Sequence, residues 1–288
     1  MKHNDASRST GARRNSTPRP RRSHPGATAL GCTSEKSQWL HDGLKLLGPS
    51  RDHATLTDLM EQAAPYLQDE RGIARFARWA GEWNDKLGWI LPAPAQAKAR
   101  HRDARDPRGH KSLIQVVPGM SSLATRDQQA PGVIRALLEA TEEHMHASCL
   151  AFREHVLHRG VPTLVSTRLI RYLPGTHAAQ RWHLDGGITT LIHRPAGDDR
   201  LLVGRPGQDL RTAASNSVAA PSDPAEPSTL LITGAQCGLT DRRARALPHA
   251  VKPLETSESR FVATSFLWPA PPLLAGILAA ASPEVRAA

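Results

Sequence analysis

The sequence predicts an α+β domain in which helices come first and a β-sandwich or barrel core follows. Apolar residues recur at helical spacing from Ser37 to about Leu91 and again from Pro131 to about His158. Beyond Val161 the texture changes to short runs of β-type residues, separated by turns containing Gly, Pro, Asp or Asn. That order of elements is the pattern of an α+β fold, and 288 residues suffice to bury one large core.

Taken in chain order, residues 1–34 come first. They carry Lys2, Arg8, Arg13, Arg14, Arg19, Arg21 and Arg22 against Asp5 alone, lack hydrophobic periodicity and are rich in Ser, Pro and Gly. Such a composition cannot bury enough apolar surface to offset ordering, so a disordered basic tail is expected. Much of the formal charge of +10 therefore says little about the folded part. Residues 35–288 read as a single domain: 35–160 mainly helical, 161–270 the strand-rich core, and 271–288 a C-terminal helix or tail.

Helical spacing in the first part rests on Leu40, Leu44 and Leu47, then Leu56, Leu59 and Met60, then Ile73, Phe76, Trp79 and Trp83. Residues 92–111 form a Pro- and charge-rich break, read as a solvated loop. The helix from Pro131 to about His158 opens on proline, has Gly160 past its end, and carries an apolar stripe of Ile134, Leu137, Leu138, Met145, Cys149, Phe152 and Val156. His144 and His146 stand two apart on different faces and read as surface histidines. Strands are expected over 163–173, 181–193, 201–203, 229–233, 246–251 and 260–268. The polar segment 212–228, with three prolines, reads as a mobile loop.

Cys32, Cys149 and Cys237 are few, odd in number and far apart, which implies no disulfide framework and fits a reducing cytoplasm. The Arg-Arg pairs at 13–14 and 21–22 are followed by no apolar segment, and the apolar run 273–281 is too short to span a bilayer. No membrane association is expected.

Chemistry enters with the triplet His-x-Asp. With 14 His in 288 residues, chance alone gives roughly 0.7 such triplets, and the chain has three: His3/Asp5, His101/Asp103 and His183/Asp185. The first lies in the tail. The second resembles the start of a kinase catalytic loop, but no asparagine stands five residues after its Asp, and the chain has neither a Gly-rich phosphate loop nor a D-F-G triplet. The third lies on a strand-like run, where side chains two apart share a face and converge on one ion. Imidazole plus carboxylate, joined by a second histidine from a distant strand, is the facial triad that binds non-haem Fe(II) and leaves positions open. His249, in Arg245-Ala246-Leu247-Pro248-His249-Ala250-Val251, suits the third place.

At this point the residues resemble the isopenicillin N synthase-like family of 2-oxoglutarate- and Fe(II)-dependent oxygenases. Arg171-Tyr172-Leu173-Pro174 and the run from Trp182 to Leu191 are similar to that family's tyrosine-proline, His-x-Asp and Leu-Thr-Leu motifs; residues 229–251 and Arg260 with 265–269 are similar to its later strands. The resemblance covers roughly residues 163–270. It implies a double-stranded β-helix (jelly-roll) core with a helical N-terminal region and a long supporting helix. It also implies iron held by His183, Asp185 and His249, and 2-oxoglutarate whose distal carboxylate meets Arg260, with Tyr172 alongside. O2 would be the oxidant and a small organic molecule the substrate, with hydroxylation, desaturation or cyclisation as outcomes. The chain departs from the family in having Val262 in place of a serine, Ile170 in place of an asparagine, Ala235 in place of an aspartate and Ala250 in place of an arginine. These departures bear on the cosubstrate rather than on the metal.

Two other readings remain at this stage. One is an iron oxidase of the same fold that does not use 2-oxoglutarate. The other is a basic, non-catalytic nucleic-acid-binding protein, supported by the tail charge but by no recognisable site. Phe266, where related nucleic-acid demethylases carry a second arginine, argues against specific nucleic acid. Arg168, Arg171 and Arg181, with the segment 92–128, are the candidate selectors of substrate.

Overall fold

The computed structural model describes residues 33–68, 95–97, 111–156, 163–172, 180–255 and 259–270. The tail ahead of Thr33, the apolar positions Ile73 to Trp83, most of the 92–110 break and the segment 271–288 lie outside the described residues.

In chain order the elements are α1 (Thr33–Asp42), β1 (Leu44–Pro49), α2 (His53–Gln68), β2 (Ala95–Ala97), β3 (Lys111–Val116), α3 (Met120–Arg126), α4 (Gly132–His155), β4 (Thr163–Tyr172), β5 (Gln180–His183), β6 (Thr189–Arg194), β7 (Leu201–Val203), α5 (Leu210–Ser215), β8 (Val218–Ala219), β9 (Ser228–Thr233), β10 (His249–Val251) and β11 (Arg260–Pro269). They make a seven-stranded sheet of order β1-β9-β6-β11-β4-β3-β2 and a four-stranded sheet of order β5-β10-β7-β8. Every strand pairing is antiparallel.

Strand alternation divides the core in two. On one face of the large sheet Val165, Leu169, Leu191, Leu231, Phe261, Ala263 and Leu267 pack with Leu56, Met60, Ile134, Leu137, Leu138 and Phe152 of the helices. On the other face Ile170, Tyr172, Ile192, Leu230, Ile232 and Val262 meet Leu201, Val203 and Val251 of the small sheet. Two facing antiparallel sheets with helices on one outer side make the expected jelly-roll core. Membrane-crossing length and apolarity are found in no described helix.

Several expectations change. Leu44 and Leu47 are at helical spacing, yet Leu44–Pro49 is a strand. Gly43 takes φ 70° and ends α1, and the segment then pairs with β9, Leu44 opposite Ile232. Tertiary pairing here overrides local spacing. β3 and β2 also join the large sheet, so the part before residue 160 is not purely helical. The long helix starts at Gly132, with Pro131 as its N-cap residue. The run 181–193 divides into β5 and β6 around Leu184–Ile188, and β10 is only three residues long. In the segment read as a mobile loop, α5 reaches Ser215 and β8 follows at Val218–Ala219. Asp209 caps α5, its side chain accepting from the backbone N–H groups of Arg211 and Thr212. His144 is no surface residue: it is 1% exposed, with its ring 4.1 Å from that of His193. His146 is exposed, as expected.

Candidate metal centre

His183 ends β5, Asp185 lies in the turn that follows, and His249 opens β10. The two strands pair antiparallel with His183 and His249 directly opposite, so both imidazoles issue from one cross-strand position. Their ring centroids are 4.2 Å apart. Convergence of Asp185 is the work of the turn rather than of strand alternation, because β5 stops at His183.

Each imidazole is oriented through Nδ1. That of His183 donates to the Arg181 carbonyl at 2.8 Å, and that of His249 to the Leu247 carbonyl at 3.1 Å. A carbonyl only accepts, so Nδ1 carries a proton and Nε2 is the nitrogen left to bind a metal. The Nε2 atoms lie 3.5 Å and 3.6 Å from the Asp185 carboxylate oxygens, and one ligand atom from each of the three residues lies within 4.8 Å of the others. Ligand atoms about 2 Å from a common ion fit inside that span.

Asp185 is the electrostatic centre. Burial pushes its carboxyl upward, but His249, His183 and a hydrogen bond from Thr190 outweigh that and lower it to about 2. The Thr190 hydroxyl donates to Asp185 at 2.7 Å and fixes the rotation of the carboxylate. Burial lowers His249, against the raising influence of Asp185, which favours the neutral imidazole a metal requires. The Asp185 turn is clamped from β9: Gly234 and Ala235 donate backbone N–H bonds to the carbonyls of Ile188 and Asp185, and Gln236 binds those of Gly187 and Gly186.

Arg260 and Tyr172 are brought together on the facing seven-stranded sheet, cross-strand partners of β11 and β4, with the guanidinium 5.3 Å from the Tyr172 ring centroid. Arg260 is 4% exposed and already holds a carboxylate: Nε and Nη2 donate to Asp198 at 2.8 Å and 2.7 Å. Its Nη1 is buried without a hydrogen-bond partner. Arg194, fully buried, adds a second guanidinium 3.7 Å from Asp198. Burial alone would raise Asp198, but Arg260 and Arg194 hold it below the ordinary carboxylate range.

Of the proposed selectors, Arg168 faces the space between the sheets. Arg171 lies on the opposite face of β4 and pairs with Glu61 of α2 at 3.8 Å, away from the centre. Arg181 is exposed on β5. Sequence reading missed Asp198, Arg194 and the role of Thr190. Asp198 and Asp199 sit side by side in a turn, and nothing local separates the buried one from the exposed one. Thr190 stands five residues after Asp185, a position whose role appears only once the turn brings the two together.

No protein-family profile matches the chain, and no curated protein sequence matches it. Its fold is shared by solved structures. Dioxygenase for auxin oxidation 1 of Arabidopsis thaliana, solved with 2-oxoglutarate, superposes with TM-score 0.53 and 12% identity over 81% of this chain and 86% of that one. The rice dioxygenase for auxin oxidation gives 0.51 and 19% over 83% and 80%. A 2OG-Fe(II) oxygenase family protein of Caulobacter crescentus gives 0.51 and 15% over 82% and 80%.

Proposed function

We propose that the chain is a non-haem Fe(II)- and 2-oxoglutarate-dependent dioxygenase acting on a small organic substrate. The observation that carries this reading is the convergence of His183, Asp185 and His249 within 4.8 Å, in a fold shared with such oxygenases. Iron would be held by Nε2 of each histidine and a carboxylate oxygen of Asp185, with the remaining positions open. When bound, iron and 2-oxoglutarate supply the oxidation: O2 gives one oxygen atom to the succinate formed as CO2 leaves, and the other to the substrate.

The chain's own residues bind, orient and exclude. Asp185 brings one negative charge, held in place by Thr190. The Arg181 and Leu247 carbonyls hold Nδ1 of each histidine as the donor and so turn Nε2 toward the metal position. Arg260 and Tyr172 are proposed to receive the distal carboxylate of 2-oxoglutarate, Arg260 through the Nη1 that Asp198 leaves free. Hydroxylation is the default outcome, with desaturation or cyclisation as variants; Asp185 fills the place a halide would need. The sparse cysteines, with Cys149 and Cys237 as free buried thiols, support a cytoplasmic setting.

A second reading, iron oxidation without 2-oxoglutarate, draws on one observation: Asp198 already occupies two of the Arg260 donors. A product assay decides between them. Anaerobic protein with Fe(II) and 2-oxoglutarate, then exposed to O2, is expected to release succinate, and His249→Ala is expected to abolish the release. O2 uptake by the wild-type protein without succinate would move the second reading to first place.

A further inference from the structure

We propose that Arg168 is the seat of a ligand carboxylate beside the metal triad, so that the reaction acts on, or with, an acid held at that guanidinium. The inference rests on the oxygenase reading for its setting and deepens it by naming the chemistry of a second binding point.

Placement comes first. Arg168 stands opposite Thr264 of β11, and Thr264 opposite Ile192 of β6. Ile192 belongs to the core between the two sheets, so Arg168 points into that space. Two residues before Ile192 is Thr190, the residue that holds Asp185. Arg168 therefore shares a face with the support of the metal centre, two strands across and one same-face position along from Thr190. Arg260 lies in the other direction on the same face, two same-face positions along β11 from Thr264.

Charge comes second. Nη2 of Arg168 donates to the neutral Gln115 amide at 3.0 Å, and its guanidinium lies 4.9 Å from the centroid of the Phe266 ring. Nε is buried with no hydrogen-bond partner. Among the described residues no carboxylate lies within ion-pair distance of Arg168. Arg260 differs in this respect, since Asp198 neutralises it in a two-bonded pair. A guanidinium withdrawn from water needs an anion, and the described residues supply none here. Burial disfavours the charged form of Arg168, and the nearby Asp185 charge partly offsets that. A divalent metal on the triad would cancel the Asp185 charge, leaving the counter-charge to come from a ligand.

Shape comes third. A planar guanidinium with Nε–H unpartnered and only one bond, to Gln115, on Nη2 matches a carboxylate. The wall beside it is aromatic: Phe266 stacks on Trp268, centroids 5.7 Å apart. An acid with a flat apolar body fits that wall. The carboxylate is the substrate's own where Arg260 takes 2-oxoglutarate, and that of 2-oxoglutarate where the Arg260–Asp198 pair stays closed.

The test uses full-length protein loaded with Zn(II), which binds the same donors and is inert to O2. Calorimetry follows the binding of 2-oxoglutarate, then of phenylacetate and benzoate against phenylacetamide and benzamide, with and without 2-oxoglutarate. At least one acid is expected to bind ten-fold or more tightly than its amide, a comparison that needs no variant. In Arg168→Gln, the affinity for that acid, or for 2-oxoglutarate itself, is expected to fall at least ten-fold, and Arg168→Lys to recover part of it. Loss of acid binding alone assigns the seat to substrate; loss of 2-oxoglutarate binding alone assigns it to cosubstrate. Acids and amides binding alike while Arg168→Gln keeps wild-type affinity for 2-oxoglutarate would overturn the proposal. Absence of succinate in the oxygen assay sinks the 2-oxoglutarate-dependent reading separately, since none of these titrations depends on turnover.

Discussion

At the scale of single residues, the buried charges decide most. Asp198 answers two guanidiniums at once, so Asp198→Asn leaves Arg260 and Arg194 without a counter-charge in the core. A cost of about 3–5 kcal/mol is expected from breaking a buried pair on one side, read from urea unfolding. Because the folded chain holds Asp198 below the ordinary range, its contribution is complete above the unfolded carboxylate value of about 4 and lost as pH falls through the folded value. The histidines act at a higher pH. Burial, with His144 and His53 nearby, holds His193 well below 6.5, and burial also lowers His53. Unfolded chains therefore take up these protons first, and stability declines as pH falls below 6.5. For metal-free protein the urea midpoint should be flat from about pH 8 to 7 and then drop; a midpoint that rises on acidification would contradict the neutral burial of His193. The triad was legible in the sequence because His183 and His249 sit in recognisable strand contexts and Asp185 follows His183 by two residues, although it is the turn after β5, not strand alternation, that brings Asp185 in. His144 was misread because spacing on a helix shows which residues share a face but not what packs against that face.

At the scale of elements, the Asp185 turn matters most. β5 ends at His183, and the carbonyls of Asp185, Gly187 and Ile188 are held by backbone N–H groups of the turn after β9, that of Gly186 by the Gln236 side chain. A Cβ on Gly234 would run into the Gly187 carbonyl. Gly234→Ala should therefore displace the turn and weaken metal binding ten-fold or more. Calorimetry with Zn(II) checks this, alongside a circular dichroism spectrum that shows the sheets intact. Gly43 is the other exacting position: φ 70° is paired with a Cβ path 2.7 Å from Pro206 Cγ. Gly43→Ala should cost about 1–3 kcal/mol by forcing a side chain into the left-handed region. The sequence showed β4, β7, β9 and β11 to within a residue or so, because each is a short β-type run with turn residues around it. β1 was hidden because its leucines fit either period, and only pairing with β9 selects the strand.

At the scale of the whole molecule, helices cover one face of the large sheet and the small sheet closes the other, leaving the triad at the edge of the inner core. His183 retains 32% side-chain exposure while His249 has 5%, so the centre is open on one side and shut on the other. Residues 1–32 precede the first described helix and carry charge without an apolar stripe. Their deletion should leave thermal stability and iron binding unchanged; a large loss of either would show that they complete the fold. The central claim is that His183, Asp185 and His249 form one iron site that accepts 2-oxoglutarate. Its most direct measurement is the visible absorption of anaerobic protein loaded with one equivalent of Fe(II) as 2-oxoglutarate is added. A saturable metal-to-ligand chelate band is expected in the wild type, with none in Asp185→Ala. Stoichiometric iron binding with no band at any 2-oxoglutarate concentration, or the same band in Asp185→Ala, would contradict it.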